Sequence, residues 1–289
     1  MSRIKYIQQL KKSYDGLKKG KESLLEKIDE VELAEQVYNS NAIENSTLTL
    51  AETEKILLEQ SVRREISVRE LYEAQNLSNV VTYLNKRSNQ KVDLDLMLLL
   101  HRFLIGGIKD SIAGRLRKDG EFVRIANHIA PAPDQVEELL TAALDRYNQE
   151  VDLNFIEKIA LFHLEFERIH PFCDGNGRIG RVLINQQLAN LGLPPVIIRN
   201  KGKRDYYYPV FEKYQHTQDH RHAEMMTNLL ELSVLESLHK RLAYLTSKNI
   251  TKITEYAESN GLDISNTLAK ARRQTIPAFR DKGVWKIGT

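Results

Sequence analysis

Residues 170 to 181 read HPFCDGNGRIGR. Twelve positions hold one histidine, one aspartate, one asparagine, three glycines and two arginines. His170 can take a proton near neutral pH. Asp174 offers the hard oxygen that Mg²⁺ accepts, and that ion uses few protein ligands and shares phosphate oxygens. Gly175 and Gly177 let backbone amides curl around an anion. Arg178 and Arg181 are three apart, so a helix starting here carries both on one face. A helix N-terminus adds unpaired N–H groups and the positive end of the dipole. Alone, GNG is a turn, a histidine a helix-end residue and an aspartate a loop cap. Eight restrictive residues in fixed order go beyond what packing asks for. Together they make a site for a nucleotide polyphosphate with a general base beside it.

This loop needs a helix on each side. FIEKIALFHLEFERI precedes it with apolar residues at helical spacing, so 153–168 is expected to be helix. Arg178 to Leu191 is a second helix, stopped by Gly192 and the Pro194-Pro195 pair. The rest also reads as helix: 2–27 and 29–43, a segment after Thr49, then 64–86, 93–105, 134–149, 203–216 and 221–247. Thr49 with Glu52 three residues on forms a capping box. Only 106–131 breaks the pattern, with several glycines, Asp119-Gly120 as a turn signal and the short run Phe122, Val123, Ile125. That stretch is expected to be a β-hairpin or extended flap. Its Ile125–Pro131 backbone is suited to pairing with an extended partner segment. The fold class expected is all-α with a small hairpin flap.

Composition sets the outer bounds. The chain has 289 residues, enough for one large domain with an appendage. Its one cysteine, Cys173, cannot form an internal disulfide, which fits a reducing, cytoplasmic setting. The first residues lack the apolar core of a signal peptide. The longest apolar run, near residues 96–100, falls far short of the roughly 20 residues that span a bilayer, so no membrane role is expected. The net charge is +3, and residues 248–289 hold eight Lys or Arg against four acids, so the basic excess lies in this tail. The expected division is an N-terminal helical region at 1–88, a core at 89–247 and a small module at 248–289.

HPFCDGNGRIGR resembles the signature of Fic domains, HPFx(D/E)GNGRxxR, at every defined position, and the helices from about 90 to 230 with their flap resemble the Fic core. The resemblance implies a protein adenylyltransferase, which moves AMP from ATP to a Ser, Thr or Tyr hydroxyl of a target protein and releases pyrophosphate. It implies that His170 deprotonates the hydroxyl and that Asp174 holds Mg²⁺ at the α- and β-phosphates. Gly175, Asn176 and Gly177 are then the anion hole, and Arg178 and Arg181 bind the remaining phosphates. Phosphate-transferring relatives carry Lys at the position of Gly177, so glycine favours AMP transfer. The chain itself is an accessible substrate, so self-modification is expected. A homodimer is a further option.

SNAIEN, residues 40–45, reads by itself as a helix end with an asparagine cap. Beside the signature it resembles the family's inhibitory motif (S/T)xxxE(G/N), with Ser40, Glu44 and Asn45 in register. The resemblance implies that Glu44 pairs with Arg181 and takes the guanidinium that the γ-phosphate needs. In some relatives the same glutamate positions water to remove AMP. KRDYYYPVF, residues 203–211, resembles the family's aromatic segment near adenine. Tyr207 and Tyr208 are its candidates, since three consecutive tyrosines cannot all face one ligand.

His163 and His101 read as core histidines, and His128 lies in the flap. HTQDHRH, with His216, His220 and His222, matches no zinc pattern and reads as an interhelical turn. Residues 248–289 follow the order helix, turn, helix, strand with Trp285, which is that of a small winged helix. Lys270, Arg272 and Arg273 would be its recognition cluster. A second function class therefore stands beside the enzyme: a DNA-binding regulator whose core senses nucleotide.

Overall fold

The computed structural model describes residues 2–62, 64–87, 89–125, 128–217 and 223–289. Along the chain run α1 (Arg3–Leu17), α2 (Glu22–Ile43), α3 (Leu50–Leu57), α4 (Val68–Asn85), α5 (Leu94–Ile105), β1 (Arg124–Ile125) and β2 (His128–Ile129). Then follow α6 (Val136–Gln149), α7 (Phe155–Ile169), α8 (Asn176–Asn190), α9 (Tyr208–Thr217) and α10 (Glu224–Thr246). The C-terminal elements are β3 (Ile250–Lys252), α11 (Ile253–Ser259), α12 (Ile264–Arg272), β4 (Ala278–Asp281) and β5 (Val284–Gly288). The molecule is mostly helical with a hairpin, the class expected. Among the described residues no helix is long and apolar enough to cross a membrane.

Two compact units form. The larger takes Leu33–Gly192 and Ile197–Asn228. Its core joins Leu77 and Val80 of α4, Met97, Leu100 and Leu104 of α5, Leu140 of α6, Phe162 and Phe166 of α7 and Ile179 and Leu183 of α8. Helix α7 is buried on most of its circumference. Asn154 starts it by accepting from the Ile156 and Glu157 amides, and Glu157 reaches back to the Asn154 amide. The Thr49–Glu52 capping box opens α3 as expected. Each such cap contributes about 1 kcal/mol.

The smaller unit takes Met1–Glu32, Leu193–Val196 and Leu229–Thr289. Strands β3, β5 and β4 lie in that order, antiparallel, with α11 and α12 inserted between β3 and β4. This is the winged-helix order. Ile253, Ala271, Ala278 and Ile287 make its small core. The Gln274 side chain ties the end of α12 to β4, donating to the carbonyls of Ala271 and Ala278 and accepting from His239 Nδ1. Arg241, almost fully buried, is neutralised by Asp29 and Glu32, and Lys240 also pairs with Glu32 at 2.9 Å.

Several local readings shift. The run at 2–27 divides, because Gly20 adopts φ +74 and ends the first helix before α2 begins. The span 64–86 becomes helix only after Ser67, whose side chain caps the Glu70 amide. Asp119-Gly120 does turn, with Gly120 at φ +82, yet it does not close the hairpin. The strands pair Arg124 with Ile129 and Ile125 with His128. Residues 203–207 form a wider π-type turn before α9. His220 and His222, and the side chain of His216, lie outside the described residues. Among the described residues no cluster of three His, Cys, Asp or Glu could hold a metal.

Candidate functional site

The site lies in the larger unit and is centred on the loop from α7 to α8. His170 caps α7 in the left-handed region at φ 51, a conformation costly for a residue with a Cβ. Arg117 secures it, donating to the carbonyls of His170 at 2.8 Å, Pro131 at 2.9 Å and Ile169 at 3.2 Å. Asn176 closes the loop on itself. Its Oδ1 accepts from the Phe172 amide at 2.9 Å and its Nδ2 donates to the Phe172 carbonyl at 2.8 Å. The Asn176 side chain is thereby committed to the loop, and any anion contact from it is through the backbone amide. Gly175, at φ +84, precedes the first turn of α8, so the amides that follow are the helix's unpartnered donors.

His101 supports the loop from below. Its ring stacks on Phe172 with centroids 3.8 Å apart. Nδ1 accepts from the Gly114 amide at 3.0 Å, so Nε2 carries the proton and donates to the Asp174 carbonyl at 3.0 Å. Burial lowers its pKa to about 4, in keeping with that neutral tautomer. It is a satisfied core histidine. His163 is also buried; its Nε2 meets the Tyr207 hydroxyl at 3.0 Å, while its Nδ1 has no hydrogen-bond partner among the described residues. His128 points Nε2 at the Arg168 carbonyl, 3.1 Å away.

The charged groups fall into two sets. In the first, Asp174 accepts from Arg178 at 3.0 Å and from Arg69 at 2.7 Å, and Glu73 binds the same two arginines at 3.2 and 3.0 Å. Arg178 is buried, whereas the Arg69 side chain is 58 % exposed. A single partly exposed carboxylate with no second acidic ligand suits Mg²⁺ held mainly by phosphate oxygens and water.

In the second set, buried Arg181 donates Nη2 to Glu44 Oε1 at 2.8 Å and to the Ser40 carbonyl at 2.9 Å. Its Nε donates to the Ser40 hydroxyl at 3.0 Å, and Nη1 reaches the Tyr207 hydroxyl at 3.5 Å. Burial alone would raise the Glu44 carboxyl, but the Arg181 charge and hydrogen bond outweigh it and hold it below the usual range. Glu44 sits directly over α8: a Cβ on Gly177 would collide with Glu44 Oε1 and come within 3.0 Å of Arg181. Asn45 follows at φ 69, the left-handed conformation that asparagine tolerates at a helix end.

Glu44, His170, Gly177 and Arg181 open on one cavity of about 320 Å³, with Ile43, Glu167, Tyr207, Tyr208, Phe211 and Glu212 as the other walls. Tyr207 is only 2 % exposed and acts mainly on Arg181 and His163, while Tyr208 keeps more of its ring toward the cavity and donates its hydroxyl to the Ile43 carbonyl at 2.6 Å. Tyr206 turns outward, with its hydroxyl on the Lys201 carbonyl.

Sequence reasoning missed Arg69, Glu73, Arg117 and Glu167. Glu167 precedes His170 by one turn, so its place on the apolar helix beside a candidate base was the available signal. Its Oε2 lies 3.8 Å from His170 Nδ1. Burial first, then the Glu44 charge, push its pKa up to about 8, against the opposing pull of Arg181. The group is therefore neutral at pH 7. A folded pKa raised above its ordinary value gives stability that is present in acid and lost as pH rises through about 8. Glu167→Gln should remove that loss. Melting temperatures of the two proteins should diverge in favour of the variant as pH rises from about 5 to about 8, the window between the ordinary and the raised pKa, and run parallel above it; curves parallel throughout would contradict this.

A helical body with this loop, flap and cleft defines a Fic-type fold. Residues 91–188 match the family model described as Fic/DOC family. Over 179 residues it is 37 % identical to "Protein adenylyltransferase Fic" of Nematostella vectensis, an alignment covering 60 % of this chain and 41 % of that protein. The chain spans 34–41 % of the length of the adenylyltransferases it matches. Among solved structures it resembles Fic-1 (aa134 - 508) from C. elegans, with TM-score 0.69 and 27 % identity over 84 % of this chain and 71 % of that one. A Fic domain containing signaling protein from Bacteroides thetaiotaomicron shares the fold at TM-score 0.72 and 23 % identity, over 83 % of this chain and 97 % of that one.

Proposed function

We propose that this protein is an autoinhibited protein adenylyltransferase that uses ATP. The observation carrying this reading is a single cleft holding a base, His170, an anion-binding helix start at Gly175–Gly177 and a buried arginine, Arg181, already engaged by Glu44. In the reaction the target hydroxyl oxygen bonds to the α-phosphorus and its proton passes to His170 Nε2. The bond from the α-phosphorus to the bridging oxygen breaks, and pyrophosphate leaves with that electron pair. The α8 amides and Arg178 and Arg181 neutralise the phosphates, and catalysis at phosphorus is mainly such positioning and charge neutralisation. Asp174 is the residue to hold Mg²⁺, which would supply further charge neutralisation at the phosphates. Tyr208 is the better wall for the base. The backbone of β1 and β2 presents a short edge for an extended target segment. The domain limits proposed are 1–88, 89–247 and 248–289. Transfer of label to protein from α-labelled but not γ-labelled ATP, with self-modification as the first readout, tests this. Label from the γ-position alone would overturn it.

A second reading concerns the winged helix. Part of its charge is neutralised: Lys252 by Glu255, Lys286 by Asp281 and Arg280 by Glu236 of α10. Lys270, Arg272 and Arg273 are exposed at the end of α12, and their side chains make no ion pair or hydrogen bond among the described residues. Such a cluster on the second helix of this motif suits duplex DNA. Anisotropy of labelled duplex with the full chain should show affinity that falls with salt. The triple alanine variant should lose it, and salt-independent or unchanged binding would remove this reading.

A further inference from the structure

Helix α2 ends at Ile43, and its last carbonyls have no partner within the helix. The Asn45 and Ser46 amides cap the carbonyls of Ala42 at 3.2 Å and Asn41 at 3.0 Å, and a distant part of the larger unit adds to this. Lys203 Nζ donates to the carbonyls of Ala42 at 2.7 Å and Ile43 at 2.8 Å, and to Asn45 Oδ1 at 3.0 Å. The Tyr208 hydroxyl donates to the same Ile43 carbonyl at 2.6 Å. A cation at a helix C-terminus also meets the negative end of the dipole. The segment 199–200 extends the attachment: Arg199 pairs with Glu35, and the Asn200 amide donates to Asn39 Oδ1 at 3.1 Å. Glu44 stands between Ile43 and Asn45, two of the residues Lys203 holds.

We propose that Lys203, assisted by Tyr208, is a positioning residue that holds Glu44 on Arg181. The proposal rests on the autoinhibited reading above. One ion pair in a cleft open to solvent competes directly with incoming phosphate. The Glu44 side chain is 41 % exposed, so solvent screens its attraction to Arg181. Lys203 fixes two backbone carbonyls just before Glu44 and the Asn45 side chain just after it, so the carboxylate is presented at Arg181 at less entropy cost than from an untethered segment. Tyr208 is also a cavity wall, so an occupant stacked on its ring and the end of α2 share one residue. Release of the inhibitory segment therefore requires both ends of this attachment to let go.

Two measurements test it. The first is amide exchange of a peptide covering 38–46, with wild type, Lys203→Met and Lys203→Arg. Charge-assisted hydrogen bonds are worth enough that losing them should speed exchange about tenfold or more in Lys203→Met. Lys203→Arg keeps the cation and should stay close to wild type. Unchanged exchange in Lys203→Met sinks the proposal, whatever the enzyme does. The second is AMP transfer. Lys203→Met should raise the rate about tenfold in the chain bearing Glu44 and leave it within about twofold in the Glu44→Gly background. An equal rise in both backgrounds would mean that Lys203 acts elsewhere and would overturn the assignment. Inactivity of Glu44→Gly itself would count against the adenylyltransferase reading, and the exchange result would still decide the role of Lys203. Melting curves of each variant separate loss of the attachment from loss of the fold.

Discussion

Glu44→Gly should raise AMP transfer by about one to two orders of magnitude, the range set by losing a charge-assisted hydrogen bond that competes with substrate. In the structure Arg181 is buried and already has its strongest partner. A γ-phosphate arriving there must displace a carboxylate of like charge, and Glu44 also lies over Gly177, where the phosphate chain would pass. Removing the carboxylate opens both places at once. Arg181 stays oriented, because Ser40 and Tyr207 still accept from it. The released charge is costly while empty, so the variant should melt lower without nucleotide and recover when ATP is added. The pH dependence follows from the lowered Glu44 pKa. A depressed carboxylate keeps its pairing above its ordinary value and loses it only as pH falls through the folded value. Mild acid should therefore not activate the wild type. Rates for the two proteins at saturating ATP, from pH 5 to pH 8, check this. Equal rates throughout would remove Glu44 from any inhibitory role.

Much of this site can be read from the chain because its chemistry is consecutive. His170 through Arg181 fall within twelve positions, and a helix on each side is written in the apolar spacing of 153–168 and 178–191. The Thr49–Glu52 box is equally local, since both halves of the cap sit within one turn. Partners that arrive from far away leave no such mark. Arg69 reaches Asp174 across 105 positions, and Lys203 reaches Ala42 across 161. A lone arginine on α4 or a lysine before α9 looks like any solvated charge. Glu167 is hidden for a related reason: an acid on an amphipathic helix is normally outward, and only the packing of α8 against α7 buries this one. Between Tyr207 and Tyr208 the sequence offers no way to choose, because the wide turn at 203–207 departs from a regular helical period. That turn sends one ring outward, one beneath Arg181 and one to the cavity wall.

His170→Ala in the Glu44→Gly background should lower the rate about 10²- to 10⁴-fold, the usual contribution of a positioned general base. The pH profile separates this role from a structural one. Burial lowers the His170 pKa to about 4, although the Glu167 carbonyl and the Glu44 charge pull the other way. Free enzyme therefore holds a neutral imidazole throughout the neutral range, so no proton must leave it before the reaction. The profile of kcat/KM for ATP, which reports the free enzyme, should lack an acid limb down to about pH 5. Removing Glu44 takes away a charge that raised the value, so the active variant should show this more clearly than wild type. Binding ATP brings new negative charge beside the ring, which favours the imidazolium. The acid limb of kcat should therefore lie above that of kcat/KM, and the separation measures how strongly the phosphates act on the base. His170→Ala should abolish both limbs with the activity and leave ATP binding within a few fold, because the phosphates are held by α8 and its arginines. An acid limb in kcat/KM near pH 6.5 would show an unperturbed histidine and contradict the buried site, and full activity in His170→Ala would remove it as the base.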